Sequence, residues 1–120
     1  IEMTFEATSN KGHMLVPNFH FYTASGECAF ISHDTERRSA KNGTFLSTCT
    51  VPANLLNEGS YFVGLAVCSF EAGIEVHFYE QNCLSFNVVD PHEGIITRPD
   101  HALPIPGVVR PHLNWELKTI

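Results

Sequence analysis

Apolar and polar residues alternate along the first segment of this chain. Ile1, Met3 and Phe5 fall on one face of residues 1–7, and the residues between them are polar or charged. Successive side chains of a β-strand point to opposite faces, so this alternation predicts a half-buried strand. No apolar pattern with a helical period extends beyond about two turns anywhere in the chain. The pattern therefore argues against an all-helical fold.

Further strand-like segments are separated by glycine, proline and polar residues. They are predicted at residues 13–23, 28–32, 43–51, 60–70, 74–79 and 83–89, with an extended piece at 107–117. Short strands with frequent turn residues are typical of a β-sandwich or jelly roll. We predict an all-β fold, a jelly-roll or immunoglobulin-like β-sandwich of about seven to eight short antiparallel strands. It forms one domain over residues 1–120.

Two local features refine this prediction. Residues 51–59 carry a proline near their start and a glycine at their end, which predicts one short helical turn. Trp115 lies two residues from both Leu113 and Leu117. A lone tryptophan in such an alternating segment favours an anchor in the core over a platform for a sugar.

Charge and hydropathy narrow the class of partner. The net charge is −6, and the seven lysines and arginines are scattered apart from the pair at 37–38. Nucleic acids and anionic membranes both require a basic patch, so neither is predicted as a partner. No apolar stretch approaches the roughly 18 residues of a membrane span. The first residues resemble a strand and not a signal peptide, and we expect the chain to be a fragment of a longer protein.

The four cysteines favour reduced thiols. Cys28, Cys49, Cys68 and Cys83 form no CxxC unit, which argues against a zinc knuckle. Two disulfides remain the alternative. Each cysteine lies in or beside an apolar segment, where a free thiol behaves as a small hydrophobe, and this predicts a cytosolic protein.

Seven histidines raise the possibility of an enzyme. A metal held by His20, His77 and His112 would suit a cupin-like, metal-dependent sugar-modifying enzyme. Side chains of one strand share a face at i and i+2, and no two histidines have that spacing. Nucleophile elbows and phosphate-binding loops are also missing from the sequence. We therefore predict no metal, no cofactor and no catalytic residue.

Strand alternation predicts which side chains face outward. Phe19 and Phe21 share one face of their strand, and His20 and Tyr22 share the other. With the phenylalanines in the core, the outer face of the sheet carries His20 and Tyr22. On the later strands the predicted inward residues are Tyr61, Val63, Leu65, Val67, Val76, Phe78, Leu84, Phe86 and Val88. The predicted outward residues are Phe62, Gly64, Ala66, Cys68, His77, Tyr79, Ser85 and Asn87.

Rings, small residues and polar groups on one face suit a carbohydrate. A sugar has weakly apolar C–H faces surrounded by hydroxyl groups, which aromatic, amide and imidazole side chains bind together. Small residues at Gly64 and Ala66 would leave room for a sugar ring to lie flat. The alternative is a face covered by a partner subunit or by the tail at 91–107. The predicted carbohydrate-binding residues are His20, Tyr22, Phe62, Ala66, His77, Tyr79 and Asn87.

Three stretches resemble a known family. Residues 19–30 contain a strand, a turn with glycine and a second strand that ends in an aromatic residue. The second stretch, residues 51–65, contains a proline and a Leu-Leu pair that lead into a Gly-x-Tyr strand. The third stretch consists of residues 84–90, followed by residues 107–111 and Trp115. In this order and spacing they resemble the C-terminal carbohydrate-binding domain of the ATP-binding subunit of O-antigen polysaccharide ABC exporters.

The resemblance implies a jelly-roll domain that is often dimeric through exchange of an edge strand. It implies a cytoplasmic place at the inner face of the bacterial inner membrane, beside the ATPase domain of the same chain and a membrane permease. The implied ligand is the finished, often capped, non-reducing end of undecaprenyl-linked O-antigen, bound without bond breaking. The first hairpin of the family domain has no counterpart here. A purely structural dimerisation domain remains the alternative.

Overall fold

The computed structural model of the protein describes residues 1–8, 12–36, 41–91 and 104–120. These ranges contain six strands: β1 (Glu2–Ala7), β2 (Val16–Thr23), β3 (Cys28–His33), β4 (Gly43–Thr48), β5 (Gly59–Ser69) and β6 (Glu75–Val88). β1 and β4 pair in one sheet, and a second sheet has the order β3-β2-β5-β6. All of these pairings are antiparallel. The all-β sandwich is confirmed, with slightly fewer strands than predicted.

The strand count differs for two reasons. The segments predicted at 74–79 and 83–89 form the single strand β6, which stays paired with β5 on both sides of a bulge. The piece predicted at 107–117 forms no strand, and only Val109 makes a bridge, to Leu56. No helix in the described ranges has the length and apolarity to cross a membrane. The tail at 91–107 lies partly outside the described residues.

The core lies between the sheets. Its buried cluster consists of Met3 from β1, Phe19 and Phe21 from β2, and Val63 and Val67 from β5. The inward positions predicted for Phe19, Phe21, Val63 and Val67 are confirmed there, and Leu65 packs against the cluster. Burial does not alternate along β5, because the predicted outward residues Gly64, Ala66 and Cys68 are buried as well. Burial of large apolar side chains is the main favourable term in folding, so this cluster determines which face of the larger sheet is internal.

The predicted helical turn at 51–59 is wrong. The chain makes a turn there, with Asn54 in a left-handed conformation at φ 63°. The same region holds the C-terminal segment, because the buried Asn57 Nδ2 donates to the carbonyls of Ile105 (2.5 Å) and Gly107 (2.8 Å). The Tyr61 hydroxyl also donates to the Asn57 carbonyl at 2.8 Å.

Trp115 does not anchor the core. It is 92% exposed, and Leu113 and Leu117 beside it are also exposed. The local alternation is present, but no sheet in the described residues lies against it. The prediction of a core tryptophan is therefore wrong.

A bulge in β6 also overturns part of the predicted face assignment. Val67 pairs with Phe78 while Cys68 pairs with Val76, so His77 is the extra residue of the bulge. His77 consequently lines a cleft beside the inward-facing Val67. Val76 lies opposite Cys68, on the outer face. The sequence pattern predicted the reverse for both His77 and Val76, because it assumed uninterrupted alternation.

Candidate functional site

Pairing of three strands assembles a group of rings on the outer face of the larger sheet. Tyr22 of β2 lies opposite Phe62 of β5, and His20 lies two residues further along β2. Tyr79 of β6 lies opposite Ala66 of β5. We call His20, Tyr22, Phe62 and Tyr79 the outer-face cluster. All four were predicted to face outward, and none belongs to the buried core.

The three polar rings of this cluster contact one another. The Tyr22 and Tyr79 hydroxyls are 3.1 Å apart, within hydrogen-bond distance. The His20 ring meets the Tyr79 ring edge-on, with 5.4 Å between centroids. Phe62 is 38% exposed and Tyr79 is 46% exposed. The cluster therefore presents aromatic surface and hydroxyl groups to solvent together.

Asn18 fixes the tautomer of His20. The Asn18 side chain is buried, and its Nδ2 donates to the Val16 carbonyl at 3.2 Å. Its Oδ1 lies 2.8 Å from Nε2 of His20 and accepts the imidazole proton there. Burial, and secondarily the charge of His33, lower the pKa of His20. At neutral pH the imidazole is uncharged, and Nδ1 is its acceptor.

Tyr22 is also uncharged at neutral pH. The hydrogen bond to Tyr79 is the largest of the effects that raise the pKa of Tyr22 to about 12. A neutral phenol both donates and accepts, as sugar hydroxyls do. Together with the neutral His20, it gives the outer-face cluster polar groups without formal charge.

Gly64 and Ala66 do not form an open platform. Ala66 is only 2% exposed, so little of its surface is available to a ligand. A Cβ on Gly64 would lie 2.7 Å from the carbonyl oxygen of Gln81 in β6. The space beside Gly64 is therefore occupied by the β6 backbone and is not available to a sugar ring. The expectation of a flat space above both residues is wrong.

Two other predicted site residues lie apart from the outer-face cluster. His77 Nε2 is 2.7 Å from the Ser69 hydroxyl, in the group that also contains His13. Asn87 pairs with Ser60 near the end of β5, and its Oδ1 accepts a hydrogen bond from the Ser60 hydroxyl at 2.6 Å. Asn87 lies two residues beyond Ser85, which is opposite Phe62, so Asn87 is on the same outer face as the cluster. Of these two predicted residues, only His77 has left that face.

The cupin-like metal triad is not assembled. Within the described ranges, the group with metal-ligand spacing contains His13, Glu75 and His77, but neither His20 nor His112. The sequence analysis missed His13 and Glu75, and it also missed Asn18 as the partner of His20. Glu75 and His77 do have the i, i+2 spacing that places two side chains on one face, but that rule was applied to pairs of histidines alone.

Comparisons with known proteins bear on the fold. No protein-family model matches the sequence, and no curated protein matches it. The crystal structure of the C-terminal domain of Wzt superposes with a TM-score of 0.69 and 13% sequence identity. The match covers 98% of this chain, and the chain spans 66% of the length of that structure. This protein therefore has the fold of the C-terminal domain of Wzt, and the resemblance drawn from the sequence is confirmed at the level of the fold.

Proposed function

We propose that this chain is a non-catalytic carbohydrate-binding domain that acts in the export of O-antigen polysaccharide. The observation that carries the proposal is the outer-face cluster, in which four aromatic side chains stand on the solvent side of a rigid sheet. The fold of the Wzt C-terminal domain supports the O-antigen context, since Wzt is the ATPase subunit of an O-antigen ABC exporter.

The chemistry of the cluster suits a neutral glycan. Phe62 and Tyr79 offer ring faces against which the C–H groups of a sugar pack. The Tyr22 and Tyr79 hydroxyls and Nδ1 of His20 exchange hydrogen bonds with sugar hydroxyl groups. Because the pKa of His20 is lowered and that of Tyr22 is raised, the cluster carries no charge at neutral pH that a ligand would have to match.

Within this function, the ligand is the non-reducing end of undecaprenyl-linked O-antigen, often chemically capped. Recognition of that end permits export of completed chains only. The domain works at the cytoplasmic face of the bacterial inner membrane, beside the ATPase domain of the same chain and the permease. The support for these finer points is the sequence resemblance of residues 19–30, 51–65, 84–90 and 107–111 with Trp115, together with the shared fold.

The domain acts as a homodimer through an exchanged strand. Support comes from the segment after Arg110, where Leu113, Trp115 and Leu117 are exposed on an extended chain. Among the residues that the structure describes, β6 is an edge strand with no partner on one side, and its inward-facing Phe78 is 52% exposed. Edge strands of this kind pair readily with a segment of another chain.

Titration with capped and uncapped O-antigen fragments tests the binding function. We expect chemical-shift changes at Tyr22, Phe62 and Tyr79, tighter binding of capped fragments, and loss of binding in His20→Ala and Tyr22→Ala. Unchanged resonances throughout the outer-face cluster would contradict the carbohydrate proposal and leave dimerisation as the function of the domain.

Light scattering tests the dimer separately. We expect a dimer of the whole chain and a shift toward monomer in Trp115→Asp, because a charge would enter the interface between copies. Leu46→Asp serves as the control, since this exposed residue lies on β4 in the other sheet. A wild-type monomer at high concentration would contradict strand exchange without affecting the carbohydrate proposal.

A further inference from the structure

Three potential metal ligands meet at the turn end of the β5–β6 hairpin. His13 Nδ1 is 3.4 Å from a carboxylate oxygen of Glu75, and His77 Nδ1 is 4.0 Å from the other carboxylate oxygen. One ligand atom from each of the three residues lies within 4.8 Å of the other two. We call His13, Glu75 and His77 the hairpin-end triad.

The strand register explains how the hairpin contributes two of these side chains. Glu75 lies opposite Ser69, and His77 follows at i+2 on the same face of β6. The bulge begins at His77, so the regular alternation from Glu75 to His77 is retained before the register shifts. The hairpin therefore directs a carboxylate and an imidazole toward the same space.

The third potential ligand, His13, lies in the segment before β2. The backbone N–H of Met14 donates to the Glu71 carboxylate, which belongs to the β5–β6 turn. This hydrogen bond holds residues 13–14 against the turn and sets His13 beside Glu75. Two separate parts of the sequence, the segment before β2 and the start of β6, thus meet at one position.

A buried hydroxyl orients both imidazoles. Ser69 is 1% exposed, and its Oγ is 2.7 Å from His77 Nε2 and 3.3 Å from His13 Nδ1. If His77 Nε2–H donates to the Ser69 hydroxyl, Nδ1 of His77 carries a free lone pair. His13 Nδ1 is near both the Ser69 hydroxyl and Glu75, so a bound ion would replace Ser69 as its partner. Metal-binding histidines commonly donate their other ring N–H to such an outer partner, which fixes the tautomer.

We propose that the hairpin-end triad binds a divalent transition-metal ion of the zinc class. Two imidazoles and one carboxylate form a donor set that suits Zn²⁺ and disfavours Mg²⁺ and Ca²⁺, which prefer oxygen ligands. With metal–ligand bonds of about 2.0–2.1 Å, tetrahedral ligand atoms lie roughly 3.3–3.4 Å apart. The His13–Glu75 separation already has that length, whereas Nδ1 of His77 is 4.0 Å from the other carboxylate oxygen and must move closer when the ion binds.

The bound ion ties the segment before β2 to the β5–β6 hairpin. None of its ligands belongs to the outer-face cluster, so the ion and a carbohydrate occupy different residues. The metal strengthens the end of the larger sheet and takes no part in holding the glycan. The proposal is consequently independent of the carbohydrate function and can fail separately from it.

Zinc titration of the whole chain tests the site. The protein is freed of affinity-tag histidines and treated with chelator, and the exposed thiols of Cys28 and Cys83 are alkylated so that they do not compete. We expect calorimetry to give one Zn²⁺ per chain and the melting temperature to rise with zinc concentration. Co²⁺ should give the visible absorption of a four-coordinate site, and Mg²⁺ should have no effect.

Single substitutions locate the binding. His13→Ala, His77→Ala and Glu75→Gln should each raise the Kd for Zn²⁺ at least about tenfold. Glu75→Gln keeps the side-chain shape, so it remains informative if an alanine variant does not fold. His112→Ala is the matched control, because this exposed histidine is outside the triad. Absence of 1:1 binding, or equal Kd values for the wild type and the triad variants, would overturn the proposal.

Discussion

Tyr22 and Tyr79 lie 57 residues apart in the sequence, and their hydroxyl groups meet at 3.1 Å on the outer face of the larger sheet. The two tyrosines belong to β2 and β6, and β5 runs between these strands. Their hydrogen bond therefore spans the middle strand and fixes both rings relative to His20. This contact makes the outer-face cluster a preformed surface, which lowers the entropy lost when a ligand binds.

Removal of one hydroxyl tests the role of that contact. Tyr22→Phe keeps the ring but loses the hydrogen bond to Tyr79 and one potential bond to a sugar. We expect glycan affinity to fall by about 2–12-fold, the equivalent of one hydrogen bond, with little change in the free energy of unfolding. Isothermal titration with an O-antigen fragment gives the affinity.

Tyr61→Phe is the matched control for this measurement. The Tyr61 hydroxyl is buried and donates to the backbone carbonyl of Asn57. Its loss should reduce stability by about 1–3 kcal/mol and leave glycan affinity unchanged. A fall in affinity with Tyr61→Phe and none with Tyr22→Phe would show that the binding surface lies elsewhere.

Two phenylalanines on opposite faces of the sheet test the face assignment. Phe21 is fully buried in β2, whereas Phe62 of β5 is 38% exposed. We expect Phe21→Ala to lower the free energy of unfolding by about 3–5 kcal/mol, because it leaves a cavity in the core. Phe62→Ala should cost about 1 kcal/mol or less and should weaken glycan binding.

Urea denaturation followed by circular dichroism measures both variants. Similar losses of stability for Phe21→Ala and Phe62→Ala would contradict the division into inner and outer faces.

The lowered pKa of His20 predicts the pH dependence of this surface. Burial lowers the pKa of His20 below its ordinary value of 6.5, and the charge of His33 adds to the shift. Between the lowered pKa and 6.5 the unfolded chain binds more protons than the folded chain at this residue. The contribution of His20 to stability is therefore fully present above pH 6.5 and is lost as the pH falls through the folded pKa.

Glycan binding should weaken over the same pH range, since protonated His20 loses Nδ1 as an acceptor. NMR titration of the His20 ring gives the pKa, and His20→Gln, which does not titrate, should flatten the pH profile of binding. A midpoint at or above 6.5 would contradict the burial of this imidazole.

Gly64 offers a test of the close approach between β5 and β6. A Cβ at this position would lie 2.7 Å from the Gln81 carbonyl oxygen and 3.0 Å from that of Glu80, both backbone atoms. Gly64→Ala should therefore lower the free energy of unfolding by about 1–3 kcal/mol, because the β6 backbone must move. Ser60→Ala, at an exposed position of the same strand, is the control and should change stability by about 0.5 kcal/mol or less. A neutral Gly64→Ala would show that β6 does not pass so close to β5.

Much of the fold follows from the sequence because strand alternation is a local property. The sequence pattern correctly divided β2, with Phe19 and Phe21 inward and His20 and Tyr22 outward. The same reasoning failed at His77 and Val76, since a single extra residue in a bulge reverses the faces on one side of it. Nothing in the local composition of β6 indicates that bulge, which arises from its pairing with β5.

The candidate sites also depend partly on local sequence and partly on which strands pair. The sequence identified Tyr22 and Tyr79 as outward-facing rings, but their hydrogen bond depends on the order in which β2, β5 and β6 pair. It predicted no metal and weighed only His20, His77 and His112 as ligands, whereas the described group with metal-ligand spacing joins His77 to Glu75 and to His13 before β2.

Composition and alternation by themselves determined an all-β fold with Phe19 and Phe21 turned into its core. These properties depend on residues that are close together in the sequence, so the pattern of side chains predicts them directly. Only the tertiary structure decided that Trp115 is exposed and that His77 leaves the outer face. Those outcomes depend on which strands pair, and in which register, between residues far apart in the chain.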